Sequence, residues 1–191
     1  MERVLAIGSH YDDIEFGCGG SLIEHKKKGD AIILAVLNSD DSLSGDPIIR
    51  NLEQNDSCRI LNSKLLRFRK DDKVENIVRI LDNEECSIIY MSHKVDYHQD
   101  HQKGYIVGQA VGRNIHISMM SYFTPTSYNY YPQVFKKIDM KEKIELLKCF
   151  KSQLKRRPDY LATLIAQNHF FGTLIGEEAA EGFTFHRMVI K

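Results

Sequence analysis

The sequence predicts an α/β fold in which βαβ units surround a largely parallel sheet. Three observations carry that prediction. Short apolar runs rich in Val, Ile and Leu alternate with longer segments of mixed character, the pattern of strands joined by helices. Residues that start and stop helices stand at the junctions, Asp46-Pro47 ahead of one mixed segment and Gly29 after another. The 191 residues, 42% hydrophobic and 27% charged, are enough for one domain with a continuous core, taken as residues 1–191.

In chain order, five strands are expected near Val4 to Gly8, Ala31 to Leu37, Leu65 to Phe68, Ser87 to Ser92 and His116 to Tyr122. The first helix is expected from about Gly20 to Lys28, ending at Gly29, which tolerates the left-handed conformation after a helix. The second covers Pro47 to Leu61, with Asp46 as N-cap and Pro47 near its first turn. A third covers Val74 to Asn83, and a fourth runs from about His101 through Gly112. Phe123 to Pro132, rich in turn formers and tyrosine, reads as an ordered loop or lid. Helices over Met140 to Gln153 and Pro158 to Leu174 then precede a terminal strand at Phe183 to Ile190.

Charge and composition exclude several classes. Twenty-six basic side chains balance 26 acidic ones, so the accumulated Lys and Arg of a general nucleic-acid binder are missing. The opening apolar run is too brief for a signal peptide, and no stretch approaches 18 uninterrupted apolar residues. Cys18, Cys58, Cys86 and Cys149 form no Cys-x-x-Cys pair, which points away from a zinc knuckle or disulfide framework and towards reduced thiols. The expectation is a soluble, cytoplasmic protein with no membrane span.

Two segments collect ligand-type side chains just after strands, where open parallel sheets place their binding sites. They are Ser9-His10-Tyr11-Asp12-Asp13-Ile14-Glu15 and Tyr97-His98-Gln99-Asp100-His101. Two imidazoles and one carboxylate around an open position form a recurring catalytic zinc site. His10, one Asp of the pair and one His of the second segment would supply that set. The other Asp would take a proton from water activated by the ion. The remaining histidine would stabilise an oxyanion or protonate a leaving amine, with Asp100 orienting it. Taken singly, Asp-Asp after a strand is often only a helix N-cap, and His-x-x-His arises by chance among eight histidines. Taken together, Asp12, Asp13, Glu15 and Asp100 would repel one another without a cation.

Gly17-Cys18-Gly19-Gly20 follows the first strand but is a poor dinucleotide fingerprint, because Leu22 stands where a third Gly is needed and three carboxylates lie upstream. Those glycines read better as permitting close helix packing. His25, His93, His116, His169 and His186 lack a ligand partner at useful spacing, although His93 is near enough to the second segment to line its rim. Ser9 lacks a nucleophile elbow.

At these residues the sequence resembles the PIG-L/LmbE-like family of metal-dependent N-acetyl-sugar deacetylases. His10-Tyr11-Asp12-Asp13-Ile14-Glu15 is similar to that family's His-Pro-Asp-Asp-Glu type motif, and His98-Gln99-Asp100-His101 to its His-x-Asp-His motif. Arg50-Asn51-Leu52-Glu53, Asp71, Thr124-Pro125-Thr126-Ser127, Ser152-Gln153 and Ala180-Glu181-Gly182-Phe183 resemble further landmarks. The likeness spans nearly the whole chain and implies a Rossmann-like three-layer α/β/α fold.

Carried over residue by residue, the resemblance implies that His10, Asp13 and His101 bind the metal, Zn2+ by default with Fe2+ or another divalent ion as the alternative. Asp12 would be the general base, His98 the oxyanion stabiliser and acid, and Asp100 its orienting partner, while Arg50 and Asp71 would contact substrate. The implied reaction is removal of the N-acetyl group from an N-acetylated amino sugar or conjugate. Alternatives are hydrolysis of another amide, ester or phosphoester, or a non-catalytic nucleotide-binding module on Gly17 to Gly20. Tyr11 replaces the usual Pro, and Phe123 stands where many members carry an acidic residue. The chain is short for the family, so its cleft is expected to be open or completed by a second subunit in a homo-oligomer.

Overall fold

Five parallel strands form the centre of the sheet in the computed structural model, which describes residues 1–189. The elements are β1 (Arg3–Gly8), α1 (Asp13–Lys27), β2 (Ala31–Val36), α2 (Pro47–Leu61), β3 (Lys64–Arg67), α3 (Val74–Asp82), β4 (Ile88–Ser92), α4 (Gln99–Val111), β5 (Ser118–Tyr122), β6 (Val134–Lys137), α5 (Met140–Leu147), α6 (Lys151–Arg156), α7 (Tyr160–Thr173) and β7 (Ala180–Arg187). Among the described residues the strands make one sheet in the order β3-β2-β1-β4-β5-β7-β6, and β7 runs antiparallel to both of its neighbours.

Strand alternation assigns the two faces. Val4, Ala6, Ile32, Leu34 and Val36 pack with Ile14, Leu22, Cys58 and Leu61 on the side of α1 and α2. Leu5, Ile7, Ile33 and Ala35 pack with Ile77, Leu81, Val107 and Val111 on the side of α3 and α4. Successive side chains of a strand point to opposite faces, so each central strand feeds both cores and the fold is the expected three-layer α/β/α. The chain leaves β1 for β2 on one side and pairs β1 with β4 on the other. The reversal opens a crevice at the carboxyl ends of β1 and β4.

The largest departure from expectation is α1, which begins at Asp13, seven residues before Gly20. The glycine run, expected to permit close packing of the first helix, lies inside that helix and does so. A Cβ at Gly17 would sit 2.2 Å from the ring of Tyr122, so only Gly allows α1 to lie this close to β5. The helix is kinked at Cys18 (φ −142, ψ 17). The backbone N–H groups of Gly20 and Ser21 donate to the Glu181 carboxylate at 2.8 and 2.7 Å. Lys143 Nζ, fully buried, donates to Glu181 at 2.6 Å and to the Phe16 carbonyl at 2.9 Å. Those contacts correct the nucleotide-module alternative, because the backbone donors that a phosphate would need are already occupied by a buried carboxylate.

Other expectations differ at their edges. Asp46 caps α2 through Ile48 N, and Gly29 has φ +78. The expected Met140–Gln153 helix divides into α5 and α6, because the turn between them buries Leu147 and Phe150 against Phe16 and Leu164. The four-residue β6, just after the Phe123 to Pro132 loop, escaped the sequence reading. The terminal strand starts at Ala180, and its expected end, Ile190, lies outside the described residues. Among the described residues all four cysteines are free, and no helix is long and apolar enough to cross a membrane.

Candidate active site

Asp12 occupies the turn from β1 into α1 with φ 98, a conformation that costs a non-glycine residue roughly 1–3 kcal/mol. It holds the N-cap position without capping the helix through its side chain. The turn is fixed from two directions. Buried Arg50 of α2 donates to the Tyr11 carbonyl and lies 3.5 Å from both Asp12 Oδ1 and Asp41 Oδ2. The Tyr11 hydroxyl donates to Asn51 Oδ1 at 3.2 Å. The residue that replaces proline is therefore held at both ends.

Asp13 points the other way. Its Oδ2 accepts the backbone N–H of Ser9 at 3.0 Å and of His10 at 2.8 Å, and faces His10 Nδ1 and His101 Nε2 at 3.4 Å each. His10, Asp13 and His101 each offer one ligand atom, all within 4.8 Å of one another. His101 stands on the first turn of α4, whose N-cap is His98. Residues of the β1–α1 turn and of the β4–α4 turn thus meet at the crevice.

Each histidine of this trio is backed by a second carboxylate. Asp100 Oδ2 lies 3.2 Å from His10 Nε2, and Asp96 Oδ2 lies 3.1 Å from His101 Nδ1. The Asp100 carboxylate addresses His10 and Lys70 and its charge also favours charged His98, while its backbone N–H donates to His98 Nδ1 at 3.2 Å. A helix N-cap interaction claims the His98 ring on that side. Accepting at Nδ1 leaves the proton of neutral His98 on Nε2.

Asp96, three residues before α4, had no assigned role in the sequence. It is buried and accepts from His98 N at 2.8 Å, from Ser127 Oγ at 3.1 Å and from Thr124 Oγ1 at 2.5 Å. The Thr124–Ser127 landmark therefore serves to hold the carboxylate behind His101.

Electrostatics separate the adjacent aspartates. Burial raises the Asp12 carboxyl, and the Asp13 charge adds to it, bringing it to about 8 against the pull of Arg50. Burial also opposes ionisation of Asp13, but His101 and His10 outweigh it and hold that carboxyl well below the usual range. Burial disfavours charge on His101, yet Asp13 and Asp96 raise it to about 10. His98 moves down through burial and the neighbouring His101 and His10. The trio of His10, Asp13 and His101 combines a firmly ionised carboxylate with two imidazoles of directed nitrogens, which is the donor set of a divalent-metal centre. Without a cation, Asp13 draws both imidazoles up towards their charged forms against the cost of burial.

The same sequence segments identify the chain among known proteins. Residues 5–111 match the family described as PIG-L: GlcNAc-PI de-N-acetylase. The chain belongs to the PIG-L family. Across 151 residues this PIG-L chain is 30% identical to the uncharacterized deacetylase YaiS of Escherichia coli (strain K12), covering 71% of the chain and 81% of that relative. Its fold superposes on the conserved protein TT1542 from Thermus thermophilus with a TM-score of 0.84 at 19% identity, over 100% of this chain and 97% of that one. It superposes on the N,N'-diacetylchitobiose deacetylase from Pyrococcus horikoshii with a TM-score of 0.83 at 20% identity, over 96% and 83% of the two chains.

Within this PIG-L fold the crevice is a cleft of about 200 Å³ lined by His10, Asp12, Asp13, Arg50, His98 and His101 together with Ser44, Thr126, Gln153, Arg157 and Tyr160. The sequence reading missed Ser44, Arg157 and Tyr160, which carry no motif. Gln153 donates to the Ser44 carbonyl at 2.9 Å, and Glu53 of α2 accepts from Ser152 N and Oγ at 2.7 Å each. The Arg-x-x-Glu and Ser-Gln landmarks are therefore one bonded wall. Asp71 is not among the lining residues; its side chain is 80% exposed and pairs with Arg69. Glu15 turns towards α2, accepting from Gln54 at 2.6 Å and Ser57 at 2.5 Å, and burial brings it to about 7. His93 is buried against Tyr130 and lies outside the cleft lining.

Proposed function

We propose that the protein is a metal-dependent hydrolase that removes the N-acetyl group from an N-acetylated amino sugar or sugar conjugate. The observation that carries this reading is the convergence of one Asp13 oxygen with His10 Nδ1 and His101 Nε2 at 3.4 Å each, in the cleft that Asp12 and His98 also line. His10, Asp13 and His101 would hold the ion, with Zn2+ suited to this donor set and Fe2+ compatible with it. When bound, the cation supplies Lewis acidity, lowering the pKa of water towards ~7 and polarising a carbonyl.

The chain's own groups do the rest. Asp12, raised to about 8 and so poised near neutrality, accepts the proton of the attacking water as its oxygen bonds to the amide carbon. His98 Nε2–H donates to the oxyanion that develops on the carbonyl oxygen. Collapse of that tetrahedral species breaks the C–N bond. The amine leaves with the proton held by the now protonated Asp12, and acetate remains. Arg50 keeps the Asp12 turn in position. Action in the cytoplasm as a homo-oligomer belongs to the same reading.

Acetate release provides the test. Chelator-treated protein should be inactive and zinc-reloaded protein active on a panel of N-acetyl amino sugars, with generic esters and phosphoesters turned over poorly. Reloaded protein that cleaves phosphoesters but no acetamide would overturn the reading.

A further inference from the structure

A second cavity of about 320 Å³ adjoins the cleft and shares Pro125, Arg157 and Tyr160 with it. None of the metal-ligand candidates lines it. Its other walls are Phe16, Phe123 and Leu164, with Asp159, Thr163 and Gln167 completing the lining. Phe16 and Tyr160 stack at 4.4 Å with an 8° interplanar angle, and the Arg157 guanidinium lies 5.0 Å over the Tyr160 ring. Phe123 packs edge-on against Tyr130, which is anchored on the carbonyls of Ser121 and Gly182. The aromatic walls are thus held by packing that does not depend on a ligand.

The cleft alone, at about 200 Å³, falls below the roughly 300–1,000 Å³ typical of small-molecule pockets. A substrate larger than one sugar ring must therefore extend beyond it, and the adjoining cavity has mainly aromatic and aliphatic walls where the cleft is lined by charged groups. We propose that this cavity is a subsite for an apolar substituent of the substrate, an aromatic or short alkyl group carried beside the scissile amide. The inference rests on the hydrolase reading above and adds the substrate class. Phe123 supplies one apolar wall of the subsite.

The test compares zinc-loaded protein on three substrates: methyl 2-acetamido-2-deoxy-β-glucoside, its 4-nitrophenyl counterpart, and the methyl glycoside bearing an N-butanoyl group. The expected result is a kcat/KM at least about tenfold higher for one of the substituted compounds than for the methyl acetamide, from burial of its apolar area. Preference for the nitrophenyl compound assigns the cavity to the aglycone, and preference for the butanoyl compound assigns it to the acyl chain. Thr163→Trp, at an exposed position of α7, and Phe123→Ser should each bring that ratio to within about threefold of one. The ratio is taken within each protein, so a general loss of activity cancels. A wild-type ratio near one for both compounds, or a preference that survives both substitutions, overturns the proposal. If no sugar is deacylated, the hydrolase reading fails separately. Calorimetric binding of the same compounds then decides the subsite, and equal affinity for the nitrophenyl and methyl glycosides overturns it.

Discussion

Asp96 stands behind His101, its Oδ2 3.1 Å from Nδ1 on the side of the ring away from Asp13. A carboxylate there fixes the tautomer so that Nε2 presents its lone pair to a cation. Asp96→Asn removes that charge with little change of shape. Zinc affinity should fall about 10- to 100-fold, measured by competition with a chromophoric chelator, while the circular dichroism spectrum stays that of the folded protein. Unchanged affinity would remove Asp96 from the site.

Asp12 and Asp13 are neighbours in sequence with opposite assignments. Asp12→Asn should retain stoichiometric metal and lose roughly 10²–10⁴ in kcat. Asp13→Asn should lose the metal. Elemental analysis beside acetate release separates the two, and equal metal loss in both variants would contradict the division of labour.

His98→Gln should lower kcat by about 10²–10³ with a small effect on KM, as expected for a donor that meets charge only in the transition state. A pure KM effect would point to substrate positioning instead.

Metal binding should strengthen with pH. His101, raised to about 10 by Asp13 and Asp96 against burial, must lose its proton to ligate, so apparent zinc affinity should rise about tenfold per pH unit between 7 and 9. The sign for the metal-free fold is the reverse: a histidine raised above its unfolded value of 6.5 stabilises fully below that pH and loses its contribution as pH climbs through about 10. Zinc titrations and thermal midpoints of chelated protein at pH 6.5, 7.5 and 8.5 check both directions.

Lys143→Met leaves Glu181 buried without its cation, beside the N–H groups of Gly20 and Ser21. Loss of about 3–5 kcal/mol of stability is expected, seen as a lowered urea midpoint. A change below about 1 kcal/mol would show that the two backbone donors alone satisfy the carboxylate.

The sheet and the two ligand turns were legible because they depend on local pattern: alternating apolar runs for β1, β2 and β4, and clustered His and Asp residues just after β1 and β4. Features that arise from packing were not. Gly17 to Gly20 were read as permitting close packing, which the nearness of Tyr122 bears out, but the start of α1 ahead of them at Asp13 was not. Asp96 had no assigned role, and only the fold brings Thr124 and Ser127 to it. Asp100 sits beside His98 in sequence, yet helix geometry aims its carboxylate at His10. Asp71 matched a landmark by position and emerges on the surface.

The Glu181 contact with Gly20 spans 161 positions. A ribosome adding roughly 5–20 residues per second needs about 8–30 s to cover that interval. Throughout it, the lower half of α1 has no acceptor for two of its amides, and the nascent turn carrying His10 to Asp13 rests on an unfinished support. Assembly of the candidate ligand trio is therefore expected only once β7 has been made, well after His10, Asp13 and His101 themselves.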